Sequence, residues 1–338
     1  MKKIAVNIIT TNNEPYLKDT LESVKPLDPE YVIVYNGKEN SEESELCLQY
    51  APNSTYFHKW NEDFSELRNI ALKNTNSYWI LWIDSDETID KESADKITEL
   101  VNSKPSNPYH NFKLIHGNTT VSQLRMFSKT SKEKWRFPIH EKIIPEILPD
   151  WHPDIKITHR INNNERSHIR NINILNKALE SNPASPEYNF YLAIDYHLVG
   201  QHMKSLLCAE KFLLHYPIRS VDVKKMYMRY LISWIYTFQM RNYQKAIQII
   251  LGQLAQNCNI AEFWCLLGDI YIKLGKFDSA RIFFQNAITM GKYKYDHMWI
   301  TDLDKYEVYP EIKIKLCETK KGIDFSEIIR ENQKMIIP

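Results

Sequence analysis

Short β-branched runs alternate with amphipathic stretches along the first part of the chain: KIAVNII, then PYLKDTLESVK, YVIVYN, SELRNIALKN and YWILWID. Compact runs rich in Ile, Val and aromatics predict strands, and the spaced apolar positions between them predict helices. Strand, helix, strand, helix, strand implies right-handed crossovers and a mainly parallel sheet covered on both faces. Ligands of such sheets lie beyond the carboxyl ends of the strands. TTNNE, YNGKEN and DSDE, which follow three of these runs, are therefore expected to meet at one edge.

After about His159 the pattern changes to long amphipathic helices, so the chain is read as an α/β domain over residues 1–161 and an all-α domain over 162–338. The second region repeats itself. Trp264 to Tyr271 reads W-C-L-L-G-D-I-Y and continues through Gly275, Phe277 and Ala280 to Phe284. That order fits the tetratricopeptide signature, and Tyr243 to Phe277, like Ala246 to Ala280, spans its period of 34 residues. A weaker copy runs from Glu187 to Pro217. Small residues at Ala246, Gly268 and Ala280 are expected to let paired helices approach while large aromatics fill the gaps. The alternative is a generic helical bundle. The stretch Tyr293 to Trp299 is expected to belong to the solenoid surface or to cap it, and the charged run ETKKGIDFSEIIRENQK to form a solvated last helix.

Composition narrows the function less than the pattern does. Net charge is +1, which gives no reason to expect nucleic acid as a partner. Eight glycines, with no G-x-G-x-x-G or Walker pattern, argue against a glycine-rich phosphate loop. The apolar start MKKIAVNII is broken by Asn7 and dissolves into TTNNEP, too polar for a secretory segment. No run approaches the roughly 18 apolar residues of a membrane span. The five scattered cysteines read as reduced thiols, and the expected location is cytoplasmic.

WILWIDSDE, from Trp79 to Glu87, starts as a buried strand and ends in three carboxylates. If the extended geometry persists, Asp84 and Asp86 share a face. Two such carboxylates suit Mn²⁺ or Mg²⁺ held with a diphosphate. The alternative is helix capping, with Asp86 or Thr88 as N-cap.

The D-x-D end does not stand alone. W-N-E-D-F-S-E-L-R-N (Trp60 to Asn69), the DSDE strand end, L-R-M-F-S-K (Leu124 to Lys129), R-F-P-I-H-E (Arg136 to Glu141) and I-T-H (Ile157 to His159) follow one another ahead of helical repeats. This order resembles the family 2, GT-A-type inverting glycosyltransferases that carry C-terminal tetratricopeptide repeats, over Ile4 to about Phe284. R-M-F from Arg125 and I-R-N-I-N from Ile169 are similar to members that glycosylate bacteriocin peptides of the sublancin type.

The resemblance implies a nucleotide-sugar donor, uridine-linked by family default, and a peptide or protein Ser, Thr or Cys acceptor. It implies nucleotide-sugar contacts from Thr10, Thr11, Asn13, Glu14, Tyr35, Asp63, Arg68, Asp84 and Ser85. Asn12 replaces the family's usual lysine, and the acid expected after the second strand is missing from Tyr35-Asn-Gly-Lys38. The metal falls to Asp86, with His159 as a further ligand, although Arg160-Ile161 stands where the family prefers Gly-Tyr. Glu141 is implied as catalytic base, supported by His140. Each role has a plainer counterpart: a polar turn for Thr10 to Glu14, packing for Tyr35, a structural salt bridge for Arg68, a loop anchor for Glu141, core for Trp135. The repeats would recognise the acceptor or pair two copies. The rival readings are a transferase acting on a saccharide or cell-envelope precursor, and a non-catalytic repeat scaffold on a degenerate transferase fold.

Overall fold

The computed structural model describes residues 2–117, 119–130, 132–160, 165–217, 223–291, 303–306 and 308–319. The stretch 293–299 and most of the charged C-terminal run lie outside them. The chain divides into two compact units, Met1–Asn163 and Asn164–Pro338.

The first unit is built on β1 (Ile4–Thr10), α1 (Leu17–Val24), β2 (Glu30–Tyr35), α2 (Glu42–Tyr50), β3 (Thr55–Phe57), α3 (Phe64–Asn74), β4 (Trp79–Trp82), β5 (Glu87–Ile89), α4 (Lys91–Asn102), β6 (Tyr109–His116), β7 (Thr119–Ser128) and β8 (Asp150–His159). The eight strands form one sheet in the order β3-β2-β1-β4-β7-β6-β8-β5. From β3 to β4 neighbouring strands run parallel, as the alternating pattern predicts. The other half is mixed: β7 is antiparallel to β4 and β6, β8 is parallel to β6, and β5 is antiparallel to β8. Only two residues separate the end of β6 from the start of β7, and so short a link can join only antiparallel neighbours.

Both faces of the central strands are covered, which explains their nearly continuous apolar sequence. Along β4, Trp79 and Leu81 enter the larger core with Ile8, Leu21 and Phe112, while Ile80 and Trp82 enter a second one with Phe127 and Trp135. The helices begin at identifiable caps. Ser41 and Ser44 close a capping box on α2, Asp63 accepts from Glu66 N–H to start α3, and Asp90 accepts from Ser93 N–H to start α4. The cap of α4 is thus Asp90, four residues beyond Asp86.

The second unit contains α5 (Glu165–Ser181), α6 (Pro186–Leu198), α7 (His202–His215), α8 (Val223–Phe238), α9 (Tyr243–Leu254), α10 (Ala261–Lys273), α11 (Phe277–Gly291) and α12 (Val308–Thr319). Successive helices pack in pairs, α6 with α7, α8 with α9 and α10 with α11. Small residues set the approach. A Cβ on Gly268 of α10 would come within 2.5 Å of the Phe284 ring of α11, and Ala246, Ala280 and Phe284 are fully buried. No helix among the described residues is long and apolar enough to cross a membrane.

Candidate active site

β1, β2, β3, β4, β6 and β8 all point their carboxyl ends to the same edge of the sheet, because each is linked to the next by a parallel pairing or by two antiparallel ones. The acidic segment arrives there on β4. Its strand stops at Trp82, and Asp84 to Glu87 turn: Glu87 N–H donates to Asp84 O at 3.1 Å, and Asp84 N–H donates to the Glu87 carboxylate at 2.9 Å. Strand alternation therefore does not carry through to Asp86, and the two aspartates have different partners.

Asp84 accepts from Arg68 Nη2 at 2.5 Å, and Glu141 Oε1 accepts from Arg68 Nε at 2.6 Å. The guanidinium, 5% exposed, lies 4.3 Å from the Trp82 ring and 5.0 Å from that of Trp135. One buried cation thus joins the D-x-D turn to the candidate base. Burial would raise the Asp84 pKa, but Arg68, helped by Arg125 and His159, holds it below the usual carboxylate range. Beneath the turn, Arg125 binds Glu87 through two hydrogen bonds of 2.6 and 2.7 Å, both residues 1% exposed, and lies 3.8 Å from the Trp82 ring. The L-R-M-F segment thus supplies a strut for the acidic turn.

Asp86 faces His159, with Oδ2 3.2 Å from Nε2. Burial alone would lower the His159 pKa; the hydrogen bond and charge of Asp86 outweigh it and push it up. His116, at the end of β6, stands 4.8 Å from the His159 ring, and burial followed by that neighbour pushes its pKa down. Glu14 completes the acidic group. Burial, then the charge of Asp86, raises its pKa.

The loop bearing Glu141 is anchored to α3 and the residue that opens it. Asn69 of α3 donates to Trp135 O at 3.0 Å and accepts from Trp135 N–H at 2.9 Å, while Phe64 N–H donates to Pro138 O at 2.8 Å. Phe137 and His140 have left-handed φ values of 75° and 53°, strain maintained by those anchors. His140 thereby sits in the same turn as Glu141. Trp135 is buried against Trp82 and Phe127.

Not every residue expected at the site reaches the cleft. Tyr35 is fully buried: alternation along β2 sends it into the core with Ile33, its ring lies edge-on to Phe57, and its hydroxyl meets Ser41 Oγ at 2.5 Å. It has no face left for stacking on a base. The Asp63 Oδ1 is spent on capping α3 through Glu66 N–H and Ser65 Oγ. The Ser85 carbonyl accepts from Thr20 Oγ1 at 2.8 Å, which holds the turn onto α1. Thr11 and Asn13 are exposed, and Asn13 N–H donates to Glu43 at 2.9 Å. Asn12, in the place of the family's lysine, accepts from Lys38 N–H at 2.9 Å and so ties the ends of β1 and β2 together. A Cβ on Gly37 would overlap that amide at 2.1 Å.

Several buried polar atoms on this edge have no hydrogen-bond partner: Thr10 Oγ1, Glu14 Oε1, Asn36 Oδ1, His58 Nδ1 and His159 Nδ1. Buried polar groups are normally paired, so a cluster of orphans at strand ends marks a place for a polar ligand. Asn36 and His58 were not among the expected residues. Both follow the ends of strands, β2 and β3, where the strand-end rule alone would have found them.

The mixed sheet, the acidic turn and the helical cover define a GT-A fold. Residues 5–165 match Glycosyl transferase family 2, and residues 261–290 match the tetratricopeptide repeat; the N-terminal unit is a family 2 glycosyltransferase domain, followed by a helical region with a tetratricopeptide repeat. The chain is similar to the SPbeta prophage-derived glycosyltransferase SunS of Bacillus subtilis (strain 168) and to glycosyltransferase SunS of Bacillus phage SPbeta. Each is 24% identical over 228 residues, covering 63% of this chain and 54% of the relative. This chain thus spans about half the length of those relatives. Among solved structures, S. aureus TarS aligns over 91% of this chain and 55% of its own, at 13% identity and a TM-score of 0.36.

Proposed function

We propose that this protein is an inverting glycosyltransferase that moves a sugar from a nucleotide donor, a uridine diphosphate sugar by the family's habit, to a Ser, Thr or Cys side chain of a peptide. The observation that carries this reading is that Arg68 joins Asp84 to Glu141 while Asp86, in the same turn as Asp84, faces His159, on a sheet edge that also holds unpartnered polar atoms. The similarity to SunS supports a peptide acceptor, and the repeat surface suits an extended one.

Asp86 and His159 bring a carboxylate oxygen and an imidazole nitrogen within 3.2 Å of each other, the pair that would hold Mn²⁺ or Mg²⁺ together with the oxygens of the diphosphate. A metal bound there would neutralise the diphosphate charge. The residues do the rest. Glu141 takes the proton from the acceptor hydroxyl or thiol as its oxygen or sulfur forms a bond to the anomeric carbon. The bond from that carbon to the diphosphate oxygen breaks, and the electron pair leaves on the diphosphate. Arg68 orients Glu141 and fixes Asp84 in the ionised form.

The test is nucleotide release from a panel of nucleotide sugars with Mn²⁺, Mg²⁺ or chelator, alongside calorimetry with the free nucleoside diphosphate. Metal-dependent release from one donor, absent in Asp86→Asn, is expected. Neither release nor nucleotide binding would overturn the proposal in favour of a repeat scaffold.

A further inference from the structure

The sheet has a second cluster of metal-binding side chains, at the edge opposite the cleft. His110 stands near the start of β6, and Asp150 and His152 near the start of β8. Because β6 and β8 are parallel with His110 opposite Asp150 and Phe112 opposite His152, the three side chains converge from two adjacent strands. Six positions along β6 separate His110 from His116, roughly 20 Å at about 3.3 Å per residue. This cluster therefore shares no residue with the acidic turn.

Its geometry is that of a ligand set. His110 Nδ1 lies 3.1 Å from His152 Nε2 and 4.0 Å from Asp150 Oδ2, and one donor atom from each residue falls within 4.8 Å of the others. Tetrahedral first-row metals hold nitrogen and oxygen at about 2.0–2.2 Å, which sets ligands a little over 3 Å apart. Asp150 is itself oriented, since its Oδ1 accepts from Asn107 Nδ2 at 2.8 Å, as outer partners of metal carboxylates usually are. Trp79 packs on the His110 ring and Phe112 on that of His152, fixing both imidazoles.

The burial is graded. His110 is fully enclosed, His152 is partly covered and Asp150 is open to solvent, so a cation has a route in and room for a water ligand. Burial, then His152, pushes the His110 pKa down to about 4, and burial pushes that of His152 down as well.

We propose that His110, Asp150 and His152 bind a divalent first-row transition cation, of which Zn²⁺ best suits two imidazoles and a carboxylate, at a site independent of the glycosyl-transfer cleft. Bound there, the ion clips the start of β8 to β6 and so braces the strand whose far end carries His159.

The test uses the full chain, stripped with chelator and without nucleotide, titrated with Co²⁺ as a visible-absorption probe and then with Zn²⁺ as competitor. A single equivalent of Co²⁺ is expected to give a ligand-field spectrum that Zn²⁺ abolishes. His152→Gln should weaken binding on the order of 100-fold or more, and Asp150→Asn, at an exposed position that leaves folding intact, by on the order of 10-fold. Asp86→Asn should leave the titration unchanged. Absence of a cobalt spectrum, its persistence in both His152→Gln and Asp150→Asn, or its loss in Asp86→Asn would each overturn the site.

Discussion

β6 and β8 carry a pair of histidines at each end, and the two pairs live in different electrostatic worlds. At the cleft end His116 and His159 stand 4.8 Å apart with Asp86 only 3.2 Å from His159; at the other end His110 and His152 stand 5.1 Å apart with Asp150 at 4.0 Å. The same residues on the same strands are driven oppositely: His159 is pushed up, His110 down to about 4. What differs is the carboxylate. Asp86 is largely buried and hydrogen-bonded to its imidazole, whereas more than half of Asp150 is in water and its charge is screened. At the cleft end one imidazole, His159, is favoured in its charged form, whereas at the other end both are disfavoured in theirs.

The hardest blow to the cleft end is to remove its strut. Arg125→Met leaves Glu87 buried without a counter-charge directly below the acidic turn, and should cost about 3–5 kcal/mol in urea unfolding. A loss below about 1 kcal/mol would mean that Glu87 sheds its charge at little cost. Next, Asp86→Asn should lower donor turnover on the order of 10² to 10³-fold while leaving the fold intact, measured as nucleotide release per enzyme. The reciprocal change at the far end, His152→Gln, should leave turnover within about two-fold, since the two ends are roughly 20 Å apart.

A subtler contrast is in pH. With His159 raised in the folded state, its stabilising charge is fully present below the unfolded value of about 6.5 and disappears as pH climbs through the higher folded value. His110 behaves in reverse: below about 6.5 the unfolded chain takes up a proton that the folded chain refuses until about 4, so stability falls as pH drops between those values. Urea midpoints measured with chelator at about pH 5 and about pH 8 should therefore show His159→Gln most damaging at the lower pH and His110→Gln most damaging at the higher. Equal shifts would erase the distinction. The smallest effect belongs to Asp150→Asn, which without metal should change stability by no more than about 0.5 kcal/mol in the same assay, because its partner contacts are solvent-exposed.

Sequence pattern foretold the cleft end far better than the other. Short runs of β-branched and aromatic residues located β1, β2 and β4 in order, and the strand-end rule sent Glu14, Asp84 and Asp86 to one edge, because parallel strands must all empty their carboxyl ends there. The repeat was legible too, since Ala246 recurs as Ala280 one period of 34 residues later, and the small Gly268 leaves room for the Phe284 ring. Tyr35 shows where the reading fails. It ends a strand, where a ligand contact is reasonable, yet alternation gave its ring to the core, a choice that depends on which face of β2 receives α1 and α2. The mixed half of the sheet was hidden because β8 joins β6 across an intervening hairpin, and no local period records that pairing. The His110 cluster escaped for the same reason: His110 and His152 are 42 positions apart and become neighbours only through the crossover.

Trp82 sits against both buried guanidiniums, Arg68 at 4.3 Å and Arg125 at 3.8 Å, one paired with Asp84 and the other with Glu87 at the two ends of the acidic turn. Indole shifts electron density across its rings on absorbing light, so the colour of its emission follows the local field. Any ligand that alters the charge balance around Asp84 alters that field without touching the tryptophan. Trp82 is therefore a built-in optical gauge of donor loading, readable from a chain whose seven other tryptophans are replaced by phenylalanine.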